Sequence, residues 1–426
     1  HKLARTREEV LSCAASRYTY SPNNLALIEA IRADVKPLAL VGVPCQVDGL
    51  RLQQNSSIRL EMATWLRENV PLTFGLFCSE AFTHESIERL AEMIDLDDPK
   101  RRRQTAKDYA KNSKSGWPWM YLRGFDKATG RGVWIAGAAT SVHSTPLVRT
   151  IGGQTMVFHG RGGGHSPPEK PYGFSLTELG ATPIGRTVWN RNLPSAVVYT
   201  VCHFDRRAAH AFGKGKLMVL DLKDGKTVRE IDLFAKVDWS VMTDKGYVRK
   251  TGVPFKAAGK KKKTRPHPTN HSNILVGDHM FFMAHDHHSI GRVNVVTGKV
   301  EYVHVPVQVV RRKGDPGKPI FGKHIPSDTK NSRGMDVGPD KRAKGDGWGH
   351  VTAPRPIAVN GKICFVTMIG TVYVVRADAK VFDHKAVVAV NDMGPAGKTW
   401  TLAGLACADG KIYGRTLKEV FCIGAK

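Results

Sequence analysis

Cysteine is scarce in this chain. Seven residues (Cys13, Cys45, Cys78, Cys202, Cys364, Cys407 and Cys422) are scattered through 426, and no two stand as a C-x-x-C pair. That density excludes a disulfide framework, and the spacing excludes a zinc ribbon. No apolar run approaches the ~18 residues that a membrane-spanning helix needs, so no transmembrane segment is expected. A basic, apolar, small-residue signal segment is also missing from the front. The chain opens on His1 rather than Met. It is therefore expected to have been trimmed or cut from something longer, and the missing signal leaves the compartment open.

Acidic residues are the other shortage, and it is local. Residues 1–100 carry 11 Lys+Arg and 14 Asp+Glu, a balance of −3. The totals of 64 and 38 leave 53 and 24 for residues 101–426, a balance of +29. Histidine follows the same division, with two in the first hundred residues and fifteen after. So sharp a change predicts a domain boundary where Asp97-Asp98-Pro99-Lys100 runs into Arg101-Arg102-Arg103. Residues 101–116 read as a basic linker. Hydrophobic residues at 41% and charged residues at 24% are enough for packed cores on both sides of it.

The first hundred residues alternate helix and strand signals. Ser21-Pro22 reads as a helix start, with Leu25, Ile28, Ile31 and Val35 at near-helical spacing and Pro37 as the stop. Leu38–Val41 is a wholly apolar run, as in a strand buried on both faces, and Leu72–Phe77 reads as a second buried strand. The turn Gly42-Val43-Pro44-Cys45-Gln46 and a helical pattern separate them, and Thr83 starts a third helix. The order implies a small parallel α/β sheet. It puts Cys45 and Cys78 at the carboxyl ends of neighbouring strands, the edge where open α/β sheets bind ligands. There the two cysteines are either thiolate ligands or nucleophiles, or small buried hydrophobes.

Four segments carry a family resemblance: Thr6–Val10, Ser16-Arg17-Tyr18-Thr19-Tyr20-Ser21-Pro22, Leu40–Arg51 and Gly75-Leu76-Phe77-Cys78-Ser79-Glu80. In order and spacing they resemble the coenzyme F420-reducing hydrogenase β-subunit family, which includes β subunits of related formate dehydrogenases. The resemblance covers residues 1–100, placed as the middle part of such a subunit, so the module is expected to be partial. It implies an electron-transfer module using FAD, a [4Fe-4S] cluster and coenzyme F420, with hydrogenase or dehydrogenase partner subunits. By carry-over Cys45 and Cys78 would be the metal ligands. Ser16, Arg17, Tyr18, Ser21, Pro22, Gly42, Pro44 and Gln46 would lie against the cofactor.

Beyond the linker the signal becomes strand, turn, strand. Tyr121–Trp134 combines Asp126, Thr129-Gly130 and Trp134: the Asp bonds turn amides, the Gly supplies positive φ, and the Trp packs between neighbouring sheets. Degraded copies recur at Tyr172–Trp189, Lys216–Arg229, Gly291–Tyr302, Ile357–Val375 and Leu402–Gly424. Asn360-Gly361 and Asp409-Gly410 are two-residue hairpin signals. Such recurrence means propeller blades. The Asp-x-x-Thr-Gly-x-x-x-Trp pattern resembles pyrroloquinoline-quinone-type (PQQ-like) repeats, which implies an all-β propeller of about six to eight blades over residues 117–426. The adjacent cysteines that hold the quinone in true quinoprotein dehydrogenases are missing, so no PQQ is expected.

Other clusters have plain structural readings. His279, His285, Asp286, His287 and His288 could ligate a metal but flank a hairpin, and a polar loop is the simpler reading. Gly160-Arg161-Gly162-Gly163-Gly164-His165 lacks the ending of a phosphate loop and reads as an inter-strand loop. Lys260–Lys263 with Arg265 is a basic run without interleaved aromatics, read as a solvated loop, and specific nucleic-acid binding is not expected. Trp117 and Trp119 read as packing residues.

Two function classes follow. One is a redox module joined to a non-catalytic propeller that binds a protein or an anionic polymer. The other has no catalysis: a basic propeller interaction protein with a truncated or chimeric N-terminal remnant. The compartment stays open, since the first resemblance implies cytoplasm and the second a periplasmic or exported protein.

Overall fold

The computed structural model describes residues 3–13, 23–75, 121–125, 132–139, 146–163, 169–179, 185–194, 203–213, 215–255, 268–284, 288–310, 317–336 and 354–424. The chain forms two compact units. One is His1–Thr140 with Gly164–Glu169 and Gly180–Arg186, and the other holds Ser141–Gly163, Lys170–Leu179 and Thr187–Lys426.

The first unit begins with helices α1 (Arg7–Ser12) and α2 (Leu25–Arg32), then strand β1 (Ala39–Gly42), helices α3 (Pro44–Gln54) and α4 (Leu60–Asn69), and strand β2 (Leu72–Gly75). β1 and β2 pair in parallel, Ala39 opposite Leu72 and Gly42 opposite Gly75, as the alternating signals predicted. Two details differ. Helix α2 starts after Asn24, and Leu27 and Ala30 are its buried residues, while Leu25 and Ile28 are exposed. Strand β1 alternates, with Leu40 buried and Val41 exposed, because only one of its faces is covered among the described residues. The core here is Leu27, Leu40, Leu50, Leu66 and Val70. A hairpin of β3 (Tyr121–Phe125) and β4 (Gly132–Ala139) completes the described part of this unit, with Trp134 lying across Gly124 of its own hairpin and over the positive-φ Gly185.

The second unit is a five-blade propeller-like arrangement, fewer than the six to eight blades expected. Blade one contains β5 (Leu147–Ile151), β6 (Gln154–Gly163), β7 (Glu169–Glu178) and β8 (Arg186–Leu193). Blade two contains β9 (His203–Phe204), β10 (Ala209–Gly213), β11 (Lys216–Leu220) and β12 (Thr227–Asp232). A hairpin, β13 (Val237–Thr243) and β14 (Gly246–Val253), then extends blade three, whose meander is β15 (Pro268–Val276), β16 (His279–Ala284), β17 (Ser289–Asn294) and β18 (Val300–His304). β13 runs parallel to β18, so β18 is buried where the last strands of other blades are open. A short pair, β19 (Gln308–Val310) and β20 (Lys318–Ile320), precedes blade four: β21 (Ile357–Val359), β22 (Lys362–Val366), β23 (Thr371–Arg376) and β24 (Val387–Asp392). Blade five shows three strands, β25 (Ala406–Ala408), β26 (Lys411–Arg415) and β27 (Val420–Ile423). The predicted hairpin turns are present, with Asn360 and Asp409 at positive φ.

The middle strands read as continuous apolar runs because both of their faces are covered. Phe282 packs toward Phe212 and Leu217 of blade two, whereas its neighbour Phe281 packs toward Phe365 and Tyr373 of blade four. Phe158 and Phe174 of blade one meet Phe204 and Ala211 of blade two, and Val366 of blade four meets Leu405 of blade five. Alternate side chains of one strand thus serve two different interfaces.

Side chains also latch each of the first three blades to a turn in the next. Trp189 on β8 covers the positive-φ Gly225, where a Cβ would lie 2.6 Å from the indole, and its Nε1–H donates to Leu222 O at 2.9 Å. In that turn Asp221 Oδ1 accepts from Lys223 N at 2.7 Å, the role foreseen for the aspartate of the repeat. Arg229 on β12 covers Gly298 and donates to Thr297 O at 2.7 Å, and Asn294 Oδ1 holds that turn through Val296 N and Thr297 N. Arg292 on β17 donates to Ala379 O at 2.5 Å in the corresponding turn of blade four. It also forms a buried ion pair with Glu301 on β18 at 2.5 Å. Burial alone would raise the Glu301 carboxyl, but the hydrogen bond and charge of Arg292 hold it below the usual carboxylate range.

The glycine-rich segment is corrected: Gly160–Gly163 continue β6 as strand, and Arg161 is buried with Nη1 donating to Asn192 Oδ1 at 2.6 Å. β6 runs on past the end of its pairing with β5, beside its other neighbour β7, so no loop was needed there.

Candidate functional site

The turn between β1 and α3 is the part of the first unit built most specifically. Pro44 occupies the first helical position, where its missing N–H costs nothing and its fixed φ suits the helix. Val43 is the N-cap residue, with extended backbone. It has no side-chain acceptor, so only one half of a capping box exists: Gln46 Oε1 accepts from Val43 N at 3.0 Å. The same oxygen accepts from Asn23 Nδ2 at 3.3 Å, and Asn23 also reaches Val41 O at 3.3 Å. Asn24 Nδ2 donates to Gln46 O at 3.1 Å. The residues that lead into α2 therefore clasp the residues that open α3.

Two glycines make the clasp possible. A Cβ on Gly42 would lie 3.0 Å from Gln46 Cβ and 3.0 Å from Gln46 Oε1, the space the glutamine uses to fold back. A Cβ on Gly49 would lie 2.5 Å from Asn24 Nδ2. Asn24 Oδ1 is buried and accepts no hydrogen bond among the described residues. It is the one orphaned polar atom of this clasp, and a donor on a bound group would satisfy it.

Of the residues singled out from sequence, Gly42, Pro44, Cys45 and Gln46 come together here, Cys45 at the second position of α3. Cys78, Ser16, Arg17, Tyr18, Ser21 and Pro22 lie outside the described residues. Asn23, Asn24 and Gly49 were missed. The signal for them was an asparagine pair directly before a helical pattern, which is ordinary N-cap composition and was overshadowed by Ser21-Pro22.

The donor set for a cluster is short. Residues 1–110 contain three cysteines, Cys13, Cys45 and Cys78, and a four-iron cluster takes four protein ligands. Cys13 is exposed in the turn after α1. Among the described residues no three His, Cys, Asp or Glu side chains converge as a metal site. His279 sits 3.3 Å from Asn294 Nδ2, and His285, Asp286 and His287 lie outside the described residues, as do Lys260–Arg265, Trp117 and Trp119. No helix among the described residues is long and apolar enough to cross a membrane.

The second unit holds buried imidazoles instead. His203 Nε2 lies 2.8 Å from Asn273 Oδ1, joining the first strands of blades two and three. Burial, with a smaller push from the charges of Arg355 and Arg149, lowers its pKa to about 4. Burial likewise lowers His159 to about 4.

Comparison with known proteins supports the reading of the first unit. Residues 35–110 match the family model for the C terminus of the coenzyme F420 hydrogenase/dehydrogenase beta subunit, whereas the sequence pattern pointed to the middle part of such a protein. The coenzyme F420 hydrogenase subunit beta of Methanococcus voltae is 35% identical over 92 residues, 21% of this chain and 31% of the relative. That of Methanothermobacter thermautotrophicus (strain ATCC 29096 / DSM 1053 / JCM 10044 / NBRC 100330 / Delta H) is 31% identical over 87 residues, 20% and 30% of the two chains. This chain thus spans about a third of the length of these curated relatives. Among solved structures, the computationally designed Ika8 protein is 12% identical, covers 72% of this chain and 65% of its own, and gives a TM-score of 0.38. The chain therefore carries a partial F420 hydrogenase β-subunit-like segment and a propeller-like unit.

Proposed function

We propose that the first hundred residues are part of an electron-transfer module of the F420 hydrogenase β-subunit type and that the propeller, built of PQQ-like repeats without the quinone, is a non-catalytic binding scaffold. The observation that carries the first half is the β1–α3 clasp, whose Gly42–Gln46 turn and Gly49 lie inside the segment matching the β-subunit family. In this reading Cys45 and Cys78 ligate iron and sulfur, and Ser16, Arg17, Tyr18, Ser21, Pro22, Gly42, Pro44 and Gln46 lie against FAD, which would exchange electrons with coenzyme F420. The chain's own contribution is positional. Gln46 and Asn24 hold the first turn of α3 against β1, and the positive end of the helix dipole favours a thiolate at the helix start. The missing ligands would come from a hydrogenase or dehydrogenase partner subunit.

Anaerobic purification with iron and flavin counted per chain tests this. Flavin absorption with an iron–sulfur shoulder, reduced in Cys45→Ala and retained in Cys407→Ala, is the expected result. A colourless protein, also after iron–sulfur and flavin reconstitution, overturns the redox half. The short span of the family match favours a second reading for that case: a basic propeller interaction protein whose N-terminal segment is a truncated or chimeric remnant without activity.

A further inference from the structure

The first hairpin turns of three successive blades line one cleft of about 770 Å³. Blade one contributes Arg149 and Ile151, blade two Asp205, Arg206 and Arg207, and blade three Leu275 and Asp278. The charged groups divide into two sets. Arg207 bridges Asp205 at 2.7 Å and Asp278 at 2.7 Å, tying the turns of blades two and three together and satisfying both carboxylates. Arg149 and Arg206 form no ion pair and no side-chain hydrogen bond among the described residues, and both are exposed. Gly152 and Gly277 sit at positive φ with open space where a Cβ would be, so the turns leave the cleft mouth clear.

A buried imidazole lies behind the cleft wall. The His210 side chain is 2% exposed, neither ring nitrogen has a hydrogen-bond partner, and Nε2 faces the cleft-lining Asp205 at 3.9 Å. Here it sits directly behind a wall already committed to Arg207.

We propose that this cleft binds an extended acidic peptide segment of a partner protein, with Arg149 and Arg206 taking carboxylates and Ile151 and Leu275 taking an aliphatic side chain between them. This rests on the scaffold reading of the propeller and names the partner's chemistry. The size suits a short peptide, since small-ligand pockets run to roughly 300–1,000 Å³. Two unpaired guanidinium groups match carboxylates in geometry and charge. The net charge of +29 on residues 101–426 draws anions of every kind toward this part of the chain, so it sets approach rather than selectivity. The lining decides the class: no aromatic side chain offers a stacking platform for bases, whereas Ile151 and Leu275 offer apolar surface to an aliphatic side chain.

The test is fluorescence anisotropy of the full chain with a labelled Glu-Glu-Leu-Glu-Glu peptide, run beside labelled oligothymidylate of equal charge. The double variant Arg149→Ala/Arg206→Ala is expected to weaken peptide binding about tenfold or more. Lys385→Ala/Lys398→Ala removes the same charge from exposed positions outside the cleft and is expected to change it less than about twofold. Both altered pairs are exposed, so melting temperatures should stay together, and the charge-reversed Arg149→Glu/Arg206→Glu variant should bind Lys-Lys-Leu-Lys-Lys in place of the acidic peptide. Equal losses in the two alanine pairs, tighter binding of oligothymidylate than of peptide, or no peptide binding overturn the proposal. The scaffold reading fails separately, if the wild-type chain retains no partner of any chemistry in a pull-down.

Discussion

The two units hold their elements together with different chemistry. In the α/β unit the connecting groups are side-chain amides: Asn23, Asn24 and Gln46 join two helix starts, and Gln54 joins α3 to Leu66 O at 3.1 Å. Among the described residues the core beneath them has five buried side chains. The interface between blades two and three alone has sixteen. In the propeller the connectors are rings and guanidinium groups seated on glycine turns of the next blade. An amide clasp orders a local turn at little cost in buried area, whereas a latch that fills the space above a glycine transmits packing from one blade to the next. The first device suits a site and the second suits a frame.

Four measurements would break or sharpen this contrast. The largest effect is expected from Trp189→Ala, which removes an indole from the blade one–blade two interface and leaves the Leu222 carbonyl without its donor. A loss of about 4 kcal/mol in urea unfolding is expected. A loss below about 1 kcal/mol would mean that the latch carries little of the interface.

Arg292→Ala comes next, at about 3 kcal/mol, because Glu301 would be left buried and charged without its main partner. Arg292→Met with Glu301→Leu should recover most of that loss, since removing both charges leaves no orphan. Failure of the double variant to recover would assign the cost to the bonds from Arg292 to the 379–380 turn.

The buried histidines give a pH dependence confined to the propeller. His159 and His203 titrate near 4 when folded, against an ordinary value near 6.5, so between these limits the unfolded chain binds more protons. Their contribution is fully present above about pH 6.5, declines as pH falls, and is lost below about pH 4, on the order of 3 kcal/mol for each. Urea midpoints measured between about pH 7 and pH 5 should fall for the wild type and fall less for His203→Gln. An unchanged slope in the variant would remove His203 from this account.

The smallest effect is expected in the α/β unit, where Gln46→Ala loses the Val43 and Asn23 bonds for about 1 kcal/mol. Propeller unfolding should not move. If Gln46→Ala costs as much as Trp189→Ala, the contrast between clasp and latch fails.

Much of this was legible from residues alone. The step from −3 to +29, the apolar runs around Leu40 and Phe74, and the turns at Asn360-Gly361 and Asp409-Gly410 are local signals, and local geometry answers to them. The closing tryptophan of a repeat is also local, and Trp189 behaves as its position implied. Other features had no local signature. Gly160–Gly163 have loop composition and yet form strand, because hydrogen bonding to neighbouring strands outweighs propensity. Helix α2 starts after Asn24 rather than at Ser21-Pro22, and the Asn24 side chain is engaged by Gln46, a partner distant in sequence.

By itself, then, the sequence determined which segments become strands, helices and turns, since those choices rest on backbone preference and apolar period over a few residues. Only the tertiary structure decided which turns meet. That Arg149, Arg206 and Asp278 line one cleft, that Arg207 bridges the acids there, and that Arg229 lies over Gly298 are consequences of stacking sheets in chain order. Stacking brings residues from separate blades together at separations no periodic pattern encodes, because each contact depends on how two twisted sheets settle against each other.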